Sequence, residues 1–376
     1  MVVLVANLGS TSFKFKLLDM DAGGSELARG SYERIGQKDS PYKAHGDVMD
    51  AVLQSLPRKP DAIGFKAVHG GPISGAVRVN DEVIATMEQF ADVAPAHNPP
   101  YIAAMRAFRQ KLPNVPQVAA FETAFHQTIP LSRQVYAIPH EWTEQLGIRR
   151  YGFHGASHRY VSQRIIELLG RDAARRIIVC HLGGSSSVCA IENGKSVANS
   201  FGMTAQSGLP QNNRVGDLDP FVLLKLLKPN DSAGEASLAE IFRRLSKESG
   251  LLGLSGISPD LRDIERAAAA GDARAKLAID ALVESIRHFI GAYLVVLGGC
   301  DVLAFTGGMG ENAVGLREAV CRNLDFAGLI LDGQKNQTRG REEKISKVES
   351  TAEIWIVPTN EELVVAEQTQ ALLSAN

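Results

Sequence analysis

Cysteine is scarce in this chain, with four in 376 residues, at 180, 189, 300 and 321, no C-x-x-C pair and no histidine at metal-ligand spacing. A disulfide framework and a zinc site are therefore not expected, and a reducing cytoplasm fits best. A surplus of charge of either sign is also missing, since 40 Lys+Arg against 42 Asp+Glu leave a net −2. Without a basic excess, nucleic acid held by phosphate neutralisation is not an expected partner. No uncharged apolar run reaches the ~18 residues of a membrane span. Val2-Val3-Leu4-Val5-Ala6 carries neither the basic start nor the small-residue cleavage site of a signal peptide. Neither common nucleotide signature is present: there is no G-x-x-x-x-G-K-[ST], and no G-x-G-x-x-G opening a helix with an acidic residue downstream.

What is there is ordinary globular composition, 45% hydrophobic and 22% charged, with few aromatics at 6%. At this length two domains are expected, because single cores stop growing near roughly 250–300 residues. Short β-branched runs at Val2–Ala6, Ile63–Val68, Val115–Phe121, Arg176–Cys180, Val302–Phe305 and Glu353–Val357 predict buried strands. A stripe of Leu282, Ile286, Phe289, Ile290, Tyr293 and Leu297 predicts a core-facing helix from about Arg274 to Leu297. The pattern is α/β. An internal repeat stands out. Val3–Lys14 and Ile177–Val188 each read as strand, Gly/Ser turn, strand, with Asn7 aligned to His181 at an offset of 181 − 7 = 174. Each tip can offer backbone N–H groups and hydroxyls to a phosphate, and two tips facing across a cleft would hold one nucleotide. Two ordinary hairpin turns would have a similar composition.

Polar groups gather where the predicted strands end, the usual ligand side of an open α/β sheet. They include Lys66, His69, His97, Glu122, His126, His154, His158, Arg214, Asp217, Asp219, Asp260, Arg262, Glu311 and Glu361. His154 and His158 are four apart, but Gly155 stands where H-E-x-x-H requires glutamate, so a zincin is excluded. His158 is expected to serve structure at a helix start, and Asp217 or Asp219 to cap a helix near Pro220. Cations, carboxylates and Gly-rich anion cradles together are the mixture that phosphoryl transfer requires.

Asn7-Leu8-Gly9-Ser10-Thr11-Ser12-Phe13-Lys14, Phe121–Thr128, Gly152–His158 and Pro358–Leu363, in that order, resemble the acetate kinases and their propionate-kinase relatives over essentially the whole chain. The resemblance implies duplicated actin-like (ribonuclease H-like) domains around a nucleotide cleft. The expected boundaries are 1–125 plus 364–376 for domain I and 126–363 for domain II, with a homodimer formed through the second domain. It implies ATP + acetate ⇌ ADP + acetyl phosphate by direct in-line transfer, with Mg²⁺ (or Mn²⁺) as cofactor. Asn7 and Glu361 would hold the metal. Ser10, Ser12, Lys14, His181, Gly183 and Gly184 would contact the nucleotide phosphates, and Asp260, Leu261, Arg262, Gly308, Gly310 and Asn312 the adenosine. His154, Arg214, Lys66 and Glu122 would be catalytic. Lys66, Val68, Ala96, His97, Phe153 and Ala205 would surround the carboxylate substrate.

The chain departs from the family pattern at informative places. Lys66 replaces an arginine and Glu122 an aspartate, and we expect the two changes to be coupled, a longer carboxylate reaching a differently shaped cation. Gly184-Ser185 replaces Asn-Gly, and Gln211-Asn212-Asn213-Arg214 replaces Met-Gly-Thr-Arg. Ala96 and Ala205 replace Leu and Pro, which predicts a roomier acyl pocket that takes propionate at least as well as acetate. Two alternatives stay open on sequence alone. One is a related phosphotransferase with a larger acid or a donor such as pyrophosphate. The other is a nucleotide-binding protein without turnover.

Overall fold

Runs of Val, Ile, Leu and Phe that are buried on both faces build the centre of each sheet, as parallel strands require. In the computed structural model, residues 1–9, 11–91, 97–227 and 237–375 are described. Strands β1 (Val2–Leu8), β2 (Phe13–Asp19), β3 (Ser25–Tyr32), β4 (Ala62–Ala67), β5 (Ala76–Arg78) and β6 (Gln117–Phe121) form a sheet in the order β3-β2-β1-β4-β6-β5. A second sheet contains β7 (Arg176–Leu182), β8 (Ser186–Glu192), β9 (Lys195–Asn199), β10 (Val302–Thr306), β11 (Glu343–Lys344) and β12 (Glu353–Ile356), in the order β11-β12-β10-β7-β8-β9. In both, three parallel strands (β1-β4-β6 and β7-β10-β12) are flanked by an antiparallel meander and a short antiparallel edge. The two topologies are identical. β1 and β7 begin 176 − 2 = 174 residues apart, the offset of the sequence repeat, so the duplication is real. The fold is the duplicated actin-like one that the resemblance implied.

The chain divides into two compact units. The first contains Met1–Gln127, Phe153–Tyr160 and Asn360–Asn376, and the second Thr128–Gly152 and Val161–Thr359. This division differs from the expected boundaries in giving His126, Gln127 and residues 360–363, and above all Phe153–Tyr160, to the first unit. The reason is local: His154 N donates to Glu122 Oε2 at 3.3 Å, and Gly155 seats directly on the Glu122 carbonyl.

In the first unit, the helix Asn98–Lys111 covers one sheet face, with Phe65 edge-on to Tyr101 (6.4 Å) and to Phe108 (6.0 Å). The other face meets the helix Glu361–Ser374 through Val365 and Ala366 against Val3, Val5 and Ala120. Gly64 permits that approach, because a Cβ there would lie 2.6 Å from Thr369 Oγ1. In the second unit, the expected long helix spans Ala273–Leu297 and buries Leu282, Ile286, Ile290, Tyr293 and Leu297. Asp272 caps its start by accepting from Ala275 N at 2.8 Å, and Gly298 ends it at φ 66°. All four cysteines are buried and unpaired with one another.

Candidate active site

In the first unit the carboxyl ends of β1, β4 and β6 bring Asn7, Lys66 and Glu122 side by side, since Lys66 pairs in register with Ala120 and Ala6 with Phe65. Glu361 opens the helix that packs against these strands. Lys66 Nζ lies 3.0 Å from Glu122 Oε1 and also contacts the Glu361 carboxylate. The Lys66, Glu122 and Glu361 side chains are 15%, 6% and 12% exposed, so solvent screens these charges little. Burial alone would lower the Lys66 pKa, but the two carboxylates reverse this and hold it well above its ordinary value. Burial pushes the Glu122 carboxyl up; Lys66 pulls it back and Glu361 adds to the rise. One cation lies between two carboxylates, so the trio taken by itself is net negative when both are ionised.

A ring of polar contacts surrounds this trio. Asn7 Nδ2 donates to Glu362 Oε1 at 3.3 Å, and Lys16 Nζ donates to Asn360 Oδ1 at 3.3 Å. Leu8 N donates to Tyr101 Oη at 3.0 Å. Asn360 also caps the following helix, accepting from Leu363 N at 3.4 Å. Glu361 and Glu362 sit in that helix's first turn, where the helix dipole favours negative charge.

His154 is held in the left-handed region at φ 58°, an uncommon conformation for a residue with a Cβ and one that clusters at functional sites. Its backbone bond to Glu122 and the tight seat of Gly155 fix it there. A Cβ on residue 155 would fall 1.9 Å from the Glu122 carbonyl oxygen. Behind it, buried His126 bonds the Phe153 carbonyl through Nε2 at 2.9 Å, which requires the proton on Nε2. Burial lowers the His126 pKa to about 4, so this ring is neutral at physiological pH.

The other expected residues of this unit are spread more widely. Lys14 is exposed, 3.9 Å from Glu33, and is not part of the trio. Ser12 closes the first hairpin tip, its carbonyl accepting from Gly9 N at 2.9 Å. His45 also reaches this tip, its Nε2 3.0 Å from the Gly9 carbonyl. Val68 is half-buried against the core, and Phe153 is buried with its ring 6.1 Å from that of His69. His97 lies at the start of the helix Asn98–Lys111, anchored by Asn98, whose Nδ2 donates to the His69 and Met87 carbonyls at 3.0 Å each. Ser10 and Ala96 lie outside the described residues.

In the second unit, His181 is the penultimate residue of β7, the turn after the strand holds Gly183 and Gly184, and Gly183 N donates to Ser186 Oγ at 3.2 Å. Arg214 Nη1 donates to Ser185 Oγ (3.2 Å), Gln211 Oε1 (3.2 Å) and the Ala205 carbonyl (3.3 Å). All these acceptors are neutral, and burial lowers the Arg214 pKa with no carboxylate opposing it. A partly buried guanidinium with no acidic partner among the described residues is suited to an incoming anion. After β10 comes the short helix Gly307–Asn312, containing Gly308, Gly310 and Asn312. Gly307 is at φ 77°, where a Cβ would meet the Leu182 carbonyl at 2.7 Å. Asp260 caps the helix Leu261–Ala269 and is ion-paired with Arg262, which holds its carboxyl down at about 2. Leu261 is buried in the core, so of its groups only the backbone remains for a ligand. Asp219 caps the turn at Pro220, accepting from Phe221 N at 2.9 Å, whereas Asp217 accepts from Gly208 N at 2.8 Å.

The sequence reading missed Lys16, His45, Tyr101, Asn360, Glu362, Ser185 and Gln211 as neighbours of these groups. Asn360-Glu361-Glu362 carries a usable signal, a cap residue followed by two acids at a helix start. Of the others, Lys16 is set by strand register, His45 and Tyr101 lie on helices, and Ser185 and Gln211 lie in connecting segments. Their neighbours are fixed by tertiary packing and give no local signal.

Comparison with known proteins identifies the family. A profile of the Acetokinase family matches residues 47–367. The chain belongs to the acetokinase family. An acetate kinase of Carboxydothermus hydrogenoformans is 42% identical to it, with 99% of each chain covered. The crystal structure of Porphyromonas gingivalis acetate kinase matches with a TM-score of 0.90 at 40% identity, covering 99% of both chains. A propionate kinase from Francisella tularensis matches with a TM-score of 0.89 at 36% identity, covering 98% of this chain and 99% of that one. The acetokinase-family chain described here is thus an ATP-dependent short-chain carboxylate kinase, a phosphotransferase with a carboxyl acceptor.

Proposed function

We propose that the protein transfers the γ-phosphoryl group of ATP directly to acetate or propionate, giving the acyl phosphate and ADP. The observation that carries the acceptor assignment is Arg214, whose guanidinium bonds only neutral groups among the described residues. A planar fork without a counter-ion suits a carboxylate and, in transfer, the equatorial oxygens of the phosphoryl group. His154, fixed by its left-handed backbone, adds a contact to that group. Lys66 and Glu122 are the charged pair of the first unit that we assign to the same step. His181, Gly183, Gly184, Ser12 and Lys14 take the nucleotide phosphates. The glycines of Gly307–Asn312 and the Asp260–Arg262 turn take the adenosine.

The carboxylates of Glu122 and Glu361 and the amide of Asn7 are hard-oxygen donors of the kind Mg²⁺ accepts. No group of three His, Cys, Asp or Glu side chains among the described residues could hold a metal alone. That fits an ion bound jointly by protein and nucleotide phosphates. Asn7 and Glu361 would hold it, and it would neutralise charge on the transferring group. Lys66 already bonds Glu361, so this lysine balances the same carboxylate.

Two further readings belong here. The small residues that the sequence carries at 96 and 205, where the family has Leu and Pro, support an acyl pocket that admits propionate. Exposed large apolar side chains concentrate in the second unit at Phe221 (72%), Leu224 (68%) and Phe242 (53%), which supports a homodimer formed through that unit; light scattering should give twice the chain mass. No helix among the described residues is long and apolar enough to cross a membrane, and we place the enzyme in the cytoplasm. The test of the whole reading is a hydroxamate assay of purified protein against a panel of short acids, with ATP or pyrophosphate as donor. Acetyl and propionyl hydroxamate formed with ATP supports it. Activity only with pyrophosphate or only with longer acids replaces it with the related phosphotransferase. Tight ATP binding with no product from any pair replaces it with a binding protein.

A further inference from the structure

Among the described residues, Arg317 is the largest fully buried side chain. All its hydrogen bonds go to neutral oxygens. Nη1 donates to the Gly310 carbonyl at 2.8 Å, Nε to Asn336 Oδ1 at 2.8 Å, and Nη2 to the Asn336 and Thr338 carbonyls at 2.7 and 2.8 Å. A buried charge with no opposite charge is a poor way to stabilise a core, where an apolar side chain of similar volume does as well or better. This arginine joins two particular backbone segments, the helix Gly307–Asn312 and the turn 336–338. The last carbonyls of a helix have no partner within it. Here Arg317 takes that of Gly310, Gly340 N takes that of Glu311 at 3.2 Å, and Arg339 takes that of Asn312. At the other end Glu311 Oε1 accepts from Gly307 N at 2.9 Å. The glycine-rich helix is thus clamped at its last three carbonyls, while Gly308 is exposed and a Cβ there would meet nothing within 4 Å.

We propose that Arg317 is a positioning residue for the nucleoside: by fixing the Gly310 carbonyl it sets the height and tilt of the open glycine surface on which the adenosine of ATP or ADP rests. The inference rests on the adenosine assignment of Gly308, Gly310 and Asn312 made above. It concerns nucleotide affinity and leaves the carboxylate and phosphoryl groups to other residues. The guanidinium's planar fork is what spans four acceptors at once; lysine, with one nitrogen, can hold only part of the set.

The test runs the reverse reaction with ADP and acetyl phosphate on Arg317→Met, Arg317→Lys and Gly308→Leu. Arg317→Met should raise the KM for ADP about tenfold or more and Arg317→Lys by less, with kcat and the acetyl phosphate KM within about twofold of the parent. A rise in both KM values together, or an unchanged ADP KM, overturns the inference. If Arg317→Met does not fold, Asn336→Ala carries the test, since it removes one acceptor and leaves the bonds to Gly310 and Thr338. Selective weakening of ADP in calorimetry supports the inference, and unchanged ADP affinity overturns it. Gly308→Leu tests the underlying assignment separately. An unchanged ADP KM in that variant removes the adenosine site itself; a raised one alongside unaffected Arg317 variants removes only the role of Arg317.

Discussion

Replacing Lys66 by methionine removes the one cation between Glu122 and Glu361 while nearly keeping the side-chain volume. With Nζ 3.0 Å from Glu122, unit charges attract by roughly 5 kcal/mol at an effective dielectric near 20. Desolvation offsets part of that for an intact pair, but removing one partner strands charge in a buried place and costs about 3–5 kcal/mol. The variant need not keep both carboxylates ionised. Burial already raises the Glu122 pKa, and losing Lys66 removes the influence that pulled it back. A carboxyl with a folded pKa above its unfolded value of ~4.3 binds more protons when folded, so its cost grows as pH rises through the folded pKa and vanishes below the unfolded one. Lys66→Met should therefore lose about 3 kcal/mol or more against the parent at pH 7.5 and much less at pH 5. Urea unfolding at both pH values measures this. A loss below about 1 kcal/mol at pH 7.5, or an equal loss at both pH values, would refute the reasoning. The same contact makes Lys66→Arg and Glu122→Asp non-additive, and a double-mutant cycle in kcat/KM should show coupling above about 0.5 kcal/mol.

Arg214→Lys keeps the charge but loses the fork, and should lower kcat/KM for the acid roughly a hundredfold while moving the melting temperature little. Gly155→Ala places a Cβ 1.9 Å from the Glu122 carbonyl oxygen; it should destabilise the fold by about 1–3 kcal/mol and lower kcat, read by denaturation and a steady-state assay. His126, neutral when buried and with its pKa down at about 4, contributes stability above the ordinary ~6.5 that is lost as pH falls toward the folded value, roughly 3 kcal/mol across that window. His126→Asn, which keeps a donor for the Phe153 carbonyl, should flatten that loss in denaturation between pH 7 and pH 4.

Much of the architecture was legible because buried parallel strands read as continuous apolar runs. The six runs picked out correspond to β1, β4, β6, β7, β10 and β12, the parallel centre of each sheet. Of the unread strands, β5 and β11 are two or three residues long, at edges and only partly buried, β3 alternates exposed and half-buried positions, and β9 is a five-residue edge strand. The 174-residue repeat was visible because the hairpin after each first strand carries Gly and Ser, and identical strand orders give it physical meaning. The trio at Lys66 was only half legible. The pairing with Glu122 was expected, but Glu361 was assigned to metal alone. Its contact with Lys66 joins positions almost 300 residues apart and depends on how the last helix packs across β1 and β4 through Gly64. Arg317 gave no signal, since a lone arginine in a helical stretch reads as solvated surface.

The central claim is that a carboxyl oxygen takes the phosphoryl group from ATP in one in-line step. The stereochemistry at phosphorus tests it most directly, using ATP made chiral at the γ-phosphorus by isotopic and sulfur substitution. The account predicts acyl phosphate with inverted configuration. Retention would contradict it, because two displacements through a phosphorylated side chain would then be required.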